Sequence, residues 1–213
     1  MNVRDIMTTN VVTIPSNTSI ADARRIMEAH RISRLPVVDK GKLVGIVTER
    51  RLESVSPSKA TSLTVWEVGY LLERTPVKDV MEKSVITVSP DMTAEEAVAL
   101  AQSHKVGSVV VVEDDRVVGM VTTDDMFYKI VNPVLGLSEP GSRLCIGGGG
   151  NAKALEEIMS IINRLGLELI TLHIEQLPEK TEKDVCVHIN KEDASQLIAE
   201  LKKKGYLAKV RAR

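Results

Sequence analysis

Apolar and polar positions alternate with two different periods along this chain. Val11-Val12-Thr13-Ile14 reads as a short strand. Ser19 and Asp22 then have the spacing of a helix-capping pair, and Ile20, Ala23, Ile26 and Met27 recur at helical intervals. Two further strands, LPVVD and LVGIV, flank the polar turn DKGK, and a second helix is expected from Glu49. The order then repeats. VITV is followed by Thr93 with Glu96, by helical spacing of Ala94, Ala97, Leu100 and Ala101, by SVVVVE and VVGMV around EDDR, and by a helix from Thr123–Asp124. Each stretch reads β-α-β-β-α. The near-continuous valine runs predict strands buried on both faces, with paired helices covering a small sheet.

The repetition is in register. Gly45 and Gly119 are 74 residues apart (119 − 45), and at that offset Val3–Leu52 aligns with Val77–Met126 without a gap. VRDIM meets VKDVM, His30 meets His104, Val37-Val38 meets Val111-Val112, and Val44-Gly45 meets Val118-Gly119. Two copies imply one supersecondary block duplicated about a pseudo-twofold axis, since a solenoid needs about three or more. The segment between them, SVSPSKATSLTVWEVGYLLERTP, reads as a Ser/Pro loop followed by a short helix carrying Val65, Val68 and Leu72.

After NPVLGLSEPGS, rich in Pro, Gly and Ser, the pattern changes. RLCIGG is a strand, and NAKALEEIMSIINRLG a helix with Leu155, Ile158, Ile162 and Leu165 on one face and Gly166 as its stop. LELITLHIEQL and DVCVHIN are strands around PEKTEK, DASQLIAELKKKGY is a helix, and LAKVRA a last strand. The order βαββαβ is the split, ferredoxin-like arrangement. The fold class is therefore α/β (α+β). Residues 1–131 form the duplicated part, with repeats at about 1–56 and 76–131 and a connector at 57–75; 132–142 is a linker and 143–213 a second domain.

Composition narrows the chemistry. Aromatics are 2% of residues, so the core is aliphatic and a stacking platform for single-stranded nucleic acid is not expected. A net charge of −1 gives no basic footprint for DNA or RNA. No apolar run has the length of a membrane span and the first ten residues lack a secretory core, so a cytoplasmic location is expected. Cys145 and Cys186 form no CxxC pair and lie in apolar runs, where burial rather than reactivity is expected. No metal-ligand spacing and no nucleophile–base order stands out, so neither a metal nor a catalytic site is expected.

The third strand of the second repeat ends in Gly119-Met120-Val121-Thr122-Thr123-Asp124-Asp125, the form Gly-h-h-Thr-x-x-Asp with h apolar. With the duplication, this motif resembles the cystathionine-β-synthase (CBS) domain, two in tandem resembling a Bateman module. Residues 143–213 resemble an ACT-type domain in element order, and the whole is similar to the acetoin-utilisation AcuB-like family. The resemblance implies a non-catalytic regulatory protein that binds an adenine nucleotide, AMP, ADP or ATP, as a regulatory ligand and needs no obligatory cofactor. It also implies a homodimer formed through the CBS pairs, with an unidentified protein partner downstream. S-adenosylmethionine or NAD would satisfy the same clamp, and a scaffold without ligand is the alternative.

By that resemblance Thr122 and Asp125 grip the ribose, since a carboxylate in the first helical turn accepts from both vicinal hydroxyls. Adenine would lie in an aliphatic slot against backbone groups of Thr87, Val88, Ser108, Val109 and Val110, and phosphates would meet His104 and Lys105. A first site would use Thr13, Ile14, His30, Arg31, Arg34, Leu35, Pro36 and Thr48. There Arg51 stands at the position of Asp125, and a guanidinium donates but cannot accept. The first site is therefore expected to be weak, empty or adapted to a more anionic ligand. In the second domain, Gly147, Gly149 and Ala152 imitate a dinucleotide fingerprint, which is rejected because a hairpin follows. ACT domains carry Pro-Gly at this turn; here amides near Gly148, Gly149 and Asn151 are the candidates for a carboxylate ligand.

Overall fold

The computed structural model describes residues 1–55, 64–137, 139–176, 178 and 181–211. The Ser/Pro loop expected at the start of the connector and part of the 178–183 turn lie outside the described residues. Contacts divide the chain into two compact units, Met1–Met126 and Phe127–Arg213.

The first unit holds α1 (Val3–Ile6), α2 (Ile20–His30), β1 (Arg34–Asp39), β2 (Lys42–Thr48), α3 (Glu49–Ser54), α4 (Val65–Arg74), β3 (Thr87–Val88), α5 (Ala94–Ser103), β4 (Ser108–Glu113), β5 (Arg116–Thr122) and α6 (Thr123–Met126). Local chemistry accounts for their limits. Ser19 Oγ accepts from Asp22 N at 3.0 Å, and Thr93 with Glu96 completes a reciprocal capping box. Lys40, Gly41, Asp114 and Asp115 all have positive φ, which gives both hairpins turns twisted to suit their strands. Leu35–Val37 and Val109–Val111 are buried, as expected of strands covered on both faces.

The first strand of each repeat is shorter than its apolar run. Ile14 makes a single parallel bridge to Val37, and Thr87–Val88 is a two-residue strand beside Val110–Val111. Earlier in the first run, the Val11 N–H donates to the Thr9 carbonyl oxygen rather than to a neighbouring strand.

The pseudo-twofold arrangement carries an exchange. Val77 and Val80, at the start of the second repeat, pack in the core of the first with Ile20, Leu35, Val37 and Leu52. Reciprocally, α1 at the start of the first repeat packs on α5 and β5 of the second, with Val3 and Ile6 buried. Bridges come in matched pairs: Thr8 to Met120 and Glu82 to Ile46, Asn2 to Thr93 and Pro76 to Ser19. The signature glycines serve this exchange by close approach. A Cβ on Gly119 would lie 2.6 Å from Met7 Sδ, and one on Gly45 would lie 2.5 Å from Met81 Sδ.

The second unit begins with a π-helical turn at Phe127–Val131 and α7 (Asn132–Leu135), so four residues of the expected linker are helical. Then follow β6 (Ser142–Ile146), α8 (Ala152–Arg164), β7 (Leu169–Glu175), β8 (Asp184–Ile189), α9 (Ser195–Lys203) and β9 (Ala208–Arg211). The sheet is antiparallel in the order β7-β8-β6-β9, the ferredoxin-like arrangement expected from element order. Leu144, Ile146, Val185, Val187 and Ile189 meet Ile158, Ile162, Leu197 and Leu201 of the helices in one core.

Candidate nucleotide site

Thr122 ends β5, and Asp125 falls in the first turn of the helix that follows. The Thr122 N–H and Oγ1 donate to Asp125 Oδ2 at 2.9 and 2.7 Å, and the Asp125 N–H returns a bond to Thr122 Oγ1 at 3.3 Å. This is a capping box, so the Thr-x-x-Asp spacing has a structural use that would exist without any ligand. Thr8 Oγ1 donates to Asp125 Oδ1 at 3.1 Å, from a residue 117 positions away. Thr8 is exposed, so its hydroxyl can yield to a ligand hydroxyl.

A cavity of about 270 Å³ opens at this point. Its polar lining is Thr8, Asn10, Arg31, Ser33, Arg34, Thr122, Asp124 and Asp125; Val11, Val12, Ile32 and Met120 supply an apolar wall. Arg31 has a left-handed backbone (φ 53°), and Lys105, its counterpart in the repeat, has the same conformation (φ 54°). Arg34 lies beside Gly107, where a Cβ would come within 2.7 Å of its guanidinium nitrogen. The carboxylate of the second repeat and two cations of the first therefore line one cleft. Such a cleft can accept from a diol at one end and donate to an anion at the other.

The expected groupings are thus redistributed. Thr122 and Asp125 meet Arg31 and Arg34, which the sequence assigned to the other site. His104 is at the end of α5, its Nδ1 3.0 Å from the Leu100 carbonyl oxygen, and neither it nor the exposed His30 lines this cavity. Val109 and Val110 are fully buried, and the Val110 N–H already donates to the Ile86 carbonyl. Val88, Ile14, Leu35 and Pro36 are likewise interior, Pro36 accepting from the Ile14 N–H. Thr87 lines a separate open hollow with Lys83 and Lys42. Thr13 and Lys105 are exposed, and Ser108 is half-buried at the start of β4.

At the related position in the first repeat, Thr48 Oγ1 accepts from Arg51 N at 3.2 Å, but Arg51 turns its Nε to the Val80 carbonyl at 3.0 Å. Thr8, Asn10 and Ser33 escaped the sequence reading. Only the exchange of opening segments brings Thr8 and Asn10 onto the other repeat, and no local pattern signals it.

In the second unit, the amides expected to receive a carboxylate have protein acceptors. Gly147, Gly149 and Gly150 donate to the carbonyls of Leu207, Ile146 and Lys183, and Gly148 donates to Asp184 Oδ1 at 3.2 Å. Asn151 caps α8, accepting from Ala154 N at 3.0 Å. The nearby hollow is lined by Glu182 and Asp184, which repel an anion.

No helix among the described residues is long and apolar enough to cross a membrane. The chain is 38% identical over 139 residues to an inosine-5'-monophosphate dehydrogenase of Korarchaeum cryptofilum, covering 65% of this chain but only 26% of that enzyme. It is 29% identical to the CBS domain-containing protein YhcV of Bacillus subtilis, covering 59% of this chain and 82% of that protein. Among solved structures it is similar to a putative acetoin utilization protein (AcuB) from Vibrio cholerae, with TM-score 0.54, 32% identity, and coverage of 66% of this chain and 98% of the other. It is also similar to the CBS domain pair of protein MJ0100 in complex with 5'-methylthioadenosine and S-adenosyl-L-methionine, with TM-score 0.50, 28% identity, and coverage of 65% and 98%. A profile of the CBS domain matches residues 3–56 and 77–132, over half of the chain, and the protein therefore belongs to the CBS domain family.

Proposed function

We propose that the first unit is a regulatory sensor of an adenosine-containing ligand, and that AMP, ADP or ATP is the class it favours. One observation carries this reading: Asp125 and the cations Arg31 and Arg34 line the same cavity. Asp125 would accept from the ribose hydroxyls in place of Thr8, the Val11, Val12 and Met120 wall would hold adenine, and the guanidiniums would take the phosphate. Sensing requires that the ligand bind one arrangement of the repeats better than another. The exchanged opening segments supply a means, because the ligand would touch both repeats at once. The state would then pass to the ACT-like unit or to a partner protein, with no turnover by this chain, which acts in the cytoplasm as a homodimer.

A second reading is favoured by the MJ0100 pair, whose bound ligands are methylthioadenosine and S-adenosylmethionine. Calorimetry on the full chain separates the two. The nucleotide reading expects one site per chain, AMP binding more tightly than methylthioadenosine, and at least a ten-fold loss on Arg34→Ala for AMP alone. Equal affinity for both ligands, with Arg34→Ala neutral, would favour the second reading. No binding by any adenosine compound leaves a scaffold.

A further inference from the structure

The ferredoxin-like unit has two unlike sheet faces. Leu144, Ile146, Val185, Val187 and Ile189 face the helices. The intervening positions alternate to the other face, and these include Cys145 on β6, His173 and Glu175 on β7, and Cys186 on β8. Cys145 lies opposite Cys186, and Cys186 opposite His173, in the strand register. One donor atom each from Cys145, Glu175 and Cys186 lie within 4.8 Å of one another, a grouping that stands alone among the described residues. Cys186 and His173 also line a cavity of about 100 Å³, bounded by Leu135 of α7. The His173 Nδ1 is buried and has no hydrogen-bond partner.

We infer that Cys145, Cys186 and Glu175, with His173 as the fourth donor, form a binding site for a thiophilic divalent cation, zinc above all. A tetrahedral ion with Zn–S bonds of about 2.3 Å separates two sulfurs by ~3.8 Å, so small side-chain rotations bring Cys145, Cys186 and Glu175 to bonding distance, whereas His173 lies outside that grouping and must swing its imidazole in to complete the set. Two sulfurs, one carboxylate oxygen and one imidazole nitrogen form a borderline-soft set, which disfavours magnesium and calcium. Three strands carry the four residues, so the sheet holds the site rigid.

Several cationic groups oppose a cation here: Arg143 lines the cavity with His173 and Cys186 while donating to the Gly136 carbonyl, and Lys209 stands opposite Cys145 in the register. Arg211 of β9 is ion-paired with Glu175 and has a guanidinium nitrogen 3.7 Å from Cys145 Sγ. Its side chain is 45% exposed and that of Glu175 23%, and a partly solvated pair is weak against thiolate–zinc bonds. Two thiolates and a carboxylate around a dication leave one net negative charge. Arg211, released from Glu175, can neutralise that charge from the thiolate side, as an outer partner of the ligands. Binding sends both thiol protons to solvent and changes no oxidation state.

The test is cobalt titration of the full chain after complete reduction and treatment with a chelator. The expected result is one equivalent bound, with thiolate-to-cobalt charge-transfer absorbance and the visible bands of a tetrahedral ion, both abolished by added zinc. Cys145→Ser and Cys186→Ala should remove the charge-transfer band or halve it. Glu175→Gln and His173→Ala should keep it with at least ten-fold weaker affinity. Cys145 is half-buried, so Cys145→Ser decides the matter if the Cys186 variant does not fold. Absence of charge-transfer absorbance in the reduced protein, or a band indifferent to Cys145→Ser, would overturn the site.

Discussion

Met7 fills the space that a side chain on Gly119 would occupy: an added Cβ would meet Met7 Sδ at 2.6 Å, Cγ at 3.0 Å and Cβ at 3.2 Å. The backbone at Gly119 is not left-handed, so its lack of a side chain serves close approach rather than unusual dihedral angles. Gly119→Ala should destabilise the first unit by about 1–3 kcal/mol through overpacking. Gly45→Ala should cost at least as much, because Met81 and the Glu82 carbonyl both crowd that position. Denaturant unfolding checks both. A double-mutant cycle with Met7→Ala should recover part of the loss, and strict additivity would show that the two residues do not interact.

Asp125 serves both a helix cap and, in the proposed function, a sugar. Asp125→Asn keeps an acceptor oxygen for Thr122 but removes the charge, so AMP affinity should fall about 10- to 100-fold, in line with ~1.5–3 kcal/mol for a hydrogen bond to a charged group. The loss of folding stability should stay near that of a weakened cap, ~1 kcal/mol. Calorimetry and thermal unfolding of the same preparation separate the two effects.

Arg31 occupies a left-handed position where glycine is the easier residue. Arg31→Gly should raise stability by about 1 kcal/mol while weakening AMP binding. Lys105→Gly should give the same gain and leave AMP binding unchanged. Loss of binding in both variants alike would remove Arg31 from the site.

Thr93, through its hydroxyl and then its backbone N–H, holds the Glu96 carboxyl below its ordinary value of 4.5. A carboxyl lowered in the folded state adds stability above its unfolded pKa and loses it as pH falls through the folded value. The melting-temperature gap between the native chain and Glu96→Gln should therefore be present at neutral pH and close as pH drops below about 4.5. A gap that persists in acid would mean that the cap does not depend on charge.

Burial, with Cys145 alongside, pushes the Cys186 thiol up to about 12. Cys186 is also only 4% exposed. In reduced, metal-free protein, alkylation followed by peptide mass spectrometry should label Cys145 well before Cys186. The reverse order would show that the β8 strand opens readily.

Much of this protein was legible in local sequence. Ser19 with Asp22 and Thr93 with Glu96 marked helix starts where the hydroxyls do cap, and the 74-residue register marked the duplication. The Val11–Ile14 strand is shorter than expected, because apolar content does not reveal that the Val11 N–H turns back to Thr9 and that Val11 and Val12 line the cleft. Cys145 and Cys186 were read singly as apolar positions; their meeting with Glu175 depends on strand register.

The chain alone determined the longer helices and the hairpins, the repeat, the aliphatic core and the charge change from Arg51 to Asp125. These follow from contacts within a few residues and from side-chain chemistry at fixed spacing. Only the tertiary structure decided which cations meet which carboxylate. Val3, Ile6, Val77 and Val80 are buried against the opposite repeat, and that exchange carries Thr8 across 117 positions to Asp125. Pairing at such separation is settled by which surfaces are buried together, and no local period records it.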